Sequence, residues 1–366
     1  MKRVWWAQIG AVVRLEMKKT FFARRGLWIY FLALLPVLLF VLYSIANSYQ
    51  TRQSASVARR GEKQLTYQDL QSIRPGMMTD DVIAALGKPP LRFHWQEHKG
   101  QGSDNSVTML HEQYRYSDGV NDLYVTATDG RVESVHLQEG YNLERDSTVF
   151  AGVFQFFFLR LAVFFGCLGI FMNLFRGEIL DRSLHFYFLA PIRRDVLMVG
   201  KFLAGLVATC VIFVTSELLQ NIAFLWHLSP AVRDIYLYHN HGLENAAVYL
   251  GVTALACVGY GSFFLVAGML FKNPILPTAG ILIWEALNPF LPALLKQFSV
   301  IYYLKALCPV DIPAPPGMPP LLALLISNPN PVSPPLAVLG LLIVAAIALY
   351  ASSLQVRRME INYTTE

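Results

Sequence analysis

The stretch Gly177–Lys201, GEILDRSLHFYFLAPIRRDVLMVGK, lies between two long apolar runs. It carries Glu178, Asp181, Arg182, Arg193, Arg194, Asp195 and Lys201, with aromatic residues and Pro191 among them. Runs of about 20 apolar residues are membrane spans, so a charged segment between two of them is a loop of a polytopic membrane protein. Composition points the same way. Of 366 residues, 54% are hydrophobic and 15% charged, and mean hydropathy is +0.41. A soluble domain carries more charge. The net charge of +5 is modest, and no nucleic-acid partner is expected.

Working outward from that loop, six stretches are apolar enough to cross about 30 Å of hydrocarbon. They lie near Leu27–Ala46, Ala151–Phe175, Phe202–Trp226, Ala246–Phe271, Ile275–Leu295 and Leu336–Leu354. Pro277, Pro289 and Pro292 interrupt the fifth. Lysine and arginine concentrate before the first span, in the opening stretch and after the last span. By the positive-inside rule both termini and that stretch are cytoplasmic, and the long segment 47–150 is outside. The first apolar run is too long for a cleaved signal and reads as a signal anchor. Cys167, Cys210 and Cys257 lie inside spans and Cys308 follows the fifth, so no disulfide framework or cysteine metal site is indicated.

Residues 1–26 place Val4, Trp5, Ile9, Val12 and Val13 at helical spacing among basic residues. That pattern suits a helix lying in the cytoplasmic interface, with a plain basic topology signal as the alternative. Residues 47–63 are polar without periodicity and read as a linker. A small domain follows at 65–138. Thr66 and Asp69 form a helix-capping pattern. Thr79 is expected to cap a second helix, with Asp80 and Asp81 in its first turn, and Gly87 and Pro89–Pro90 end it. Alternating runs at Leu91–Trp95, Gln113–Tyr116, Leu123–Thr128 and Val132–Leu137 then predict an antiparallel meander, with Asp118-Gly119 and Asp129-Gly130 as turns. The stretches IRPGMMTDDVIAALGKPP (residues 73–90) and YRYSDGVNDLYVTATDGRVESVHL (residues 114–137) resemble the SmpA/OmlA family. Gly76, Met77, Thr79, Val82, Leu86, Gly87 and Pro89 match its core pattern, with Met78 as an extra residue. The resemblance implies a non-catalytic protein-interaction module, and an envelope protein as its partner.

Two histidine patterns suggest metal. His94-Trp95-Gln96-Glu97-His98 has the H-x-x-E-H form, which needs a helix to converge on zinc. Here it sits in strand-like sequence, where residues four apart are separated by about 13 Å. His227, His239 and His241 cluster before the fourth span without a carboxylate or cysteine at ligand spacing. No metal site and no catalytic constellation is expected from either. Residues 296–335 hold half of the chain's 20 prolines around an apolar patch, Leu321–Ile326, too short to span. They suit a re-entrant or interfacial piece on the outer side.

The opening stretch reads as a short helix that Pro191 ends, with Arg193 and Arg194 placed where cations suit its C-terminus. It is either an amphipathic connector on the bilayer or a docking element for a cytoplasmic partner. Glu178, Ser183, Leu184, Pro191, Arg194, Gly200 and Lys201 resemble the loop element after the second span of type-2 ABC exporter permeases. In that family the segment, here 177–200, is the coupling helix resting on the ATPase. The resemblance implies coupling roles for Glu178, Asp181, Arg182, Leu184, Phe188, Pro191 and Arg194. It also implies a cytoplasmic ATPase chain that binds ATP and magnesium, and a second permease copy or homologue. This chain has no phosphate-binding G-x-x-x-x-G-K-[ST] loop of its own, and no cofactor is expected in it.

Ionisable groups within spans default to functional hypotheses. Arg160 lies in the second span, Glu217 in the third, and Glu285 and Asn288 in the fifth. Arg160 is expected to pair with Glu217 or Glu285, either as a purely structural pair or with Glu285 and Asn288 lining a substrate path. The expected fold is an α-helical integral membrane protein of six transmembrane helices with a small α+β extracytoplasmic domain. The 356–366 tail is expected to be cytoplasmic, and the location a bacterial inner membrane. The expected function is the permease of an ATP-driven exporter of an amphipathic or lipid-like substrate. The alternative is a membrane scaffold or sensor whose exported domain binds an envelope protein.

Overall fold

The computed structural model describes residues 2–22, 26–99, 107–180, 193–271, 273, 275–313, 319 and 332–358. The chain divides into two compact units. One comprises residues 1–41, 146–224 and 230–366, the other residues 42–145 and 225–229.

The larger unit is helical. Helix α1 (Lys2–Phe22) precedes α2 (Leu27–Arg60), whose first part belongs here. Among the described residues five helices are long and apolar enough to cross a membrane: α2, α5 (Leu143–Glu178), α6 (Arg194–Leu225), α8 (Gly242–Leu270) and α11 (Pro334–Arg358). A short helix α7 (Pro230–Tyr238) lies between α6 and α8. Aromatic rings knit these helices together. Phe40 packs on Phe150 at 4.8 Å, Phe150 on Phe224 at 5.2 Å, Phe154 on Tyr249 at 4.5 Å, and Phe158 on Phe213 at 6.1 Å. Inside α5, Val153–Val163 is an 11-residue π-helical stretch.

The expected fifth crossing, Ile275–Leu295, is not one continuous helix. Helix α9 covers Ile275–Leu287, 13 residues, or about 20 Å at 1.5 Å per residue. Pro277 is tolerated in its first turn, where no amide hydrogen bond is lost. Pro289 and Pro292 come after its end, and the chain breaks into a single tight turn (Asn288–Phe290), a four-residue helix (Ala293–Lys296) and α10 (Val300–Leu307). Helix α10 packs against both α8 and α11, which also pack on each other. Close approach there requires glycine: a Cβ on Gly340 would lie 2.4 Å from the Tyr303 ring, and one on Gly259 would lie 2.8 Å from Val300.

The smaller unit begins with the rest of α2. Residues 47–60, expected as linker, continue that helix without a break. No glycine or proline intervenes before Gly61, and Ser54 and Val57 are buried. Ser54 donates to Asp122 at 2.8 Å. Helices α3 (Tyr67–Gln71) and α4 (Thr79–Leu86) then precede β1 (Leu91–Lys99), β2 (Val107–Ser117), β3 (Asp122–Thr128) and β4 (Arg131–Gln138). The four strands form an antiparallel meander in sequence order. Leu70, Ile73, Val82 and Leu86 of the helical part form one core with Tyr114, Tyr116, Leu123, Val125 and Val132 of the sheet.

Local chemistry explains these boundaries. Thr66 and Asp69 make the full capping box on α3. Asp129 and Gly130 both have positive φ, 48° and 80°, as the two-residue hairpin between β3 and β4 requires. Thr79 differs from expectation. It starts α4 but caps nothing: its amide and hydroxyl both donate to the Gly130 carbonyl, at 3.0 and 3.3 Å. The His94–His98 run lies within β1.

Candidate functional site

Three helices meet at a buried charge cluster. On α1, Val12, Glu16 and Lys19 share one face by their spacing. On α6, Gly200 and Lys201 open the apolar part of the helix. Gly200 permits the contact, because a Cβ there would come within 2.9 Å of Val12. Lys201 is fully buried. Its Nζ donates to Glu16 Oε1 at 2.8 Å and to the Leu174 carbonyl at 2.9 Å. Glu178 Oε2 lies 2.8 Å from the same nitrogen as an ion pair. Lys19 closes the set, donating to Glu178 Oε1 at 3.1 Å and lying 4.0 Å from Glu16. The ring of Phe175 lies beneath the Lys201 ammonium, at 5.4 Å.

Two lysines and two carboxylates therefore alternate, and the cluster is neutral. Burial alone would raise the Glu16 carboxyl, but the Lys201 and Lys19 cations hold it below its ordinary range. Buried charges persist only when paired and hydrogen-bonded in this way.

A second seam lies at the start of α6. Arg193 lies over the Trp5 ring of α1 at 5.2 Å. Arg194 donates to the Arg357 carbonyl at 2.9 Å. Asp195 accepts from Arg357 Nε and Nη2, at 2.8 and 3.0 Å, and from Ser353 at 3.0 Å. A carboxylate in the first turn of α6 also suits the helix dipole.

Glu178 and Lys201, which open and close the motif read in the sequence, thus come together in space. So do Gly200 and α1. Arg194 joins the second seam. Asp181, Arg182, Leu184, Phe188 and Pro191 lie outside the described residues. The segment that holds them leaves from the Glu178 anchor and returns at the Arg193–Asp195 anchor.

The polar residues expected within spans are arranged differently from expectation. Arg160 makes no ion pair with Glu217 or Glu285 among the described residues; its guanidinium lies over the Phe156 ring at 5.2 Å. Glu285 instead caps a helix. It accepts from Ser299 Oγ and from the amides of Val300 and Ile301, all at 2.9 Å, at the start of α10. A carboxylate there satisfies amides that a helix start leaves open. Asn288 donates to the Lys296 carbonyl at 3.2 Å and fixes the same turn. Glu217 is fully buried and accepts from Asn221 at 3.0 Å.

Reading the sequence missed Glu16, Lys19 and Arg357 as members of these seams. One signal was present: Glu16 is a carboxylate on the apolar side of an otherwise basic helix, one turn from Val12. No known protein family, curated protein or solved structure matches the chain.

Proposed function

We propose that the chain is the permease subunit of an ATP-driven exporter of the type-2 kind, with ATP and magnesium bound by a separate cytoplasmic ATPase. The observation that carries this reading is the meeting of Glu178 with Lys201 of α6, where Lys201 and Gly200 also meet Glu16 and Val12 of α1. Both ends of the 181–192 segment are tied to helices that run into the membrane. A push on that segment by an ATPase would pass to α5 through Glu178, to α6 through Lys201, and to α11 through Asp195 and Arg357. That is what a coupling segment requires, and it needs no catalytic group in this chain.

The geometry also supports six crossings. The α1 helix and the end of α11 both meet the first turns of α6, so the two ends of the chain share a side. Five crossings would separate them. The sixth is then made between α8 and α11, by α9 and the broken segment that follows. On this reading the shared side is cytoplasmic, the membrane is a bacterial inner membrane, and the meander domain is extracytoplasmic. The permease works as a pair with a second copy or a homologue and exports an amphipathic substrate. The meander domain serves as a non-catalytic binding module for an envelope protein.

The test is co-purification from native membranes in mild detergent, with mass spectrometry of retained chains. The comparison variant is Asp181→Ala with Arg182→Ala, leaving Glu178 intact because it belongs to the buried cluster. An ATPase retained by the wild type and lost by the variant is expected. Absence of any ATPase from both, under conditions that keep other ABC complexes whole, would refute the permease reading and favour the scaffold.

A further inference from the structure

Helix α2 carries three arginines on one face within the smaller unit. Arg52, Arg59 and Arg60 are exposed, and with Ala55 and Ser56 they line an open hollow of ≈ 470 Å³. By helical periodicity Arg52, Ser56 and Arg59 fall within about 60° of one another around the axis. That side is turned from the buried Ser54 and Val57. Arg52 and Arg59 are separated by about 10 Å along the axis. Only the short side chains of Ala55 and Ser56 line the hollow between them. The Ser56 hydroxyl is taken by the Gln53 carbonyl, at 2.7 Å.

Among the described residues none of the three guanidiniums has a carboxylate partner. Glu62, the first carboxylate after them in the chain, pairs with Lys88 at 3.6 Å. Asp122, which reaches the buried side of the same helix, accepts from Ser54 and Arg115. The helix dipole accounts for Arg59 and Arg60, which lie in the last turn. It does not account for Arg52, two turns earlier. The surplus is also local. Residues 42–145 carry 11 Lys and Arg against 13 Asp and Glu, a net charge of −2, yet residues 42–61 hold the three arginines and no carboxylate.

We propose that this face of α2 binds an acidic segment of a partner protein. A guanidinium offers a planar fork that takes both oxygens of a carboxylate. In an extended segment, carboxylates on alternate residues repeat about every 6.6 Å along one side, so two or three of them span the arginine row. The net negative charge of the unit sets the size of the occupant. An anionic bilayer surface meets the whole unit and is repelled by its carboxylates, whereas a narrow segment meets the arginines alone. The site rests on the arginine face; that its occupant belongs to an envelope protein rests on reading the smaller unit as a binding module.

The experiment uses the full chain in maltoside and a short fluorescein-labelled peptide of alternating glutamate and serine. The comparison peptide has glutamine for each glutamate. Binding is read by fluorescence anisotropy at low salt, with dioctanoyl phosphatidylglycerol and inorganic phosphate as competitors. The glutamate peptide is expected to bind in preference, with an affinity that falls as salt is added. Each arginine removed is expected to cost about three- to fivefold, so Arg52→Gln, Arg59→Gln and Arg60→Gln together lose most of the preference. Arg74→Gln, exposed elsewhere in the unit, is the control and is expected to change nothing. If the triple variant fails to fold by circular dichroism, Arg52→Gln alone takes its place and is expected to lose about threefold. Equal binding of the two peptides by wild type, or an unchanged preference in the folded variant, would overturn the proposal. Displacement by the short-chain lipid or by phosphate at the concentration at which unlabelled peptide displaces would overturn the choice of a protein segment. In the co-purification above, an envelope protein retained equally by wild type and the triple variant would overturn this face and leave the binding-module reading standing. If neither retains one, the module reading fails, and the peptide assay still decides the face.

Discussion

Replacing Lys201 by methionine removes the central cation of the buried cluster while keeping an unbranched side chain of similar reach. Removing one partner of a buried pair costs about 3–5 kcal/mol, because the remaining charge is stranded. Burial here is close to complete: the side chains of Lys201, Glu16 and Glu178 are 0%, 4% and 8% exposed. Lys19 remains 3.1 Å from Glu178 but is 48% exposed, so it offsets only part of the loss. The lower end, about 3 kcal/mol, is therefore expected. At ~2 °C per kcal/mol for a unit of this size, the midpoint of thermal unfolding falls by roughly 6 °C. The assay is intrinsic fluorescence of the full chain in maltoside. The triple variant Glu16→Gln, Lys201→Met, Glu178→Gln strands no charge and is expected to recover most of the loss. A single-variant shift within about 1 °C, or a triple variant worse than the single, would refute this reasoning. The pH dependence has a definite sign. The Glu16 carboxyl is depressed below 4.5 in the folded chain. Its contribution is present above that value and is lost as pH falls through the folded one. Wild type therefore weakens in acid below about pH 4.5, and Lys201→Met, lacking the cation, weakens less.

Three further outcomes are expected. Glu285→Ala leaves the Val300 and Ile301 amides and Ser299 without their acceptor, at a cost of at least about 2 kcal/mol; hydrogen exchange at the start of α10 should accelerate, and unchanged exchange would sink the capping role. Gly340→Ala forces a Cβ into the Tyr303 ring and should cost about 1–3 kcal/mol, with Tyr303→Leu in the same chain restoring the melting midpoint. In the meander domain the Tyr114 hydroxyl, with Arg92, holds the Glu112 carboxyl below its ordinary 4.5. Acid should then weaken the domain below that value, as followed by Trp95 fluorescence, and Glu112→Gln should remove this dependence.

The parts legible in the sequence were those set by local rules. The capping box at Thr66, the Asp129-Gly130 turn and the order of two helices before a meander follow from hydrogen-bonding patterns a few residues long. Long apolar runs likewise announce five of the six stretches read as spans. What failed was longer in range or weaker in pattern. Residues 47–60 lack apolar periodicity, yet one face is buried through Ser54 and Val57, and a serine at that position gives no apolar signal. Pro289 and Pro292 were visible, but proline alone does not say whether a span kinks or ends. The pairing expected for Arg160 failed because charge arithmetic ignores backbone amides. Two N–H groups and the Ser299 hydroxyl at the start of α10 occupy Glu285 in place of a cation, and no sequence spacing reveals that α10 starts beside it.

The two anchors of the 181–192 segment differ in kind, and the difference orders what can move. The Glu178 anchor is buried, so parting it strands charge away from water, and salt does not screen it. The Asp195 anchor is open, with its carboxylate 39% and Arg357 60% exposed. Exposed pairs of this sort contribute little and are exchanged readily for water and ions. A load applied to the segment therefore carries α1, α5 and α6 together, because their seam is the costlier one to break. Among the described residues helix α11 meets the start of α6 through this exposed seam, so that seam is the cheaper of the two to part. An all-apolar junction would hold the three helices at least as firmly. Only the charged one joins α1, α5 and α6 through a single lysine, whose loss removes one link from each at once.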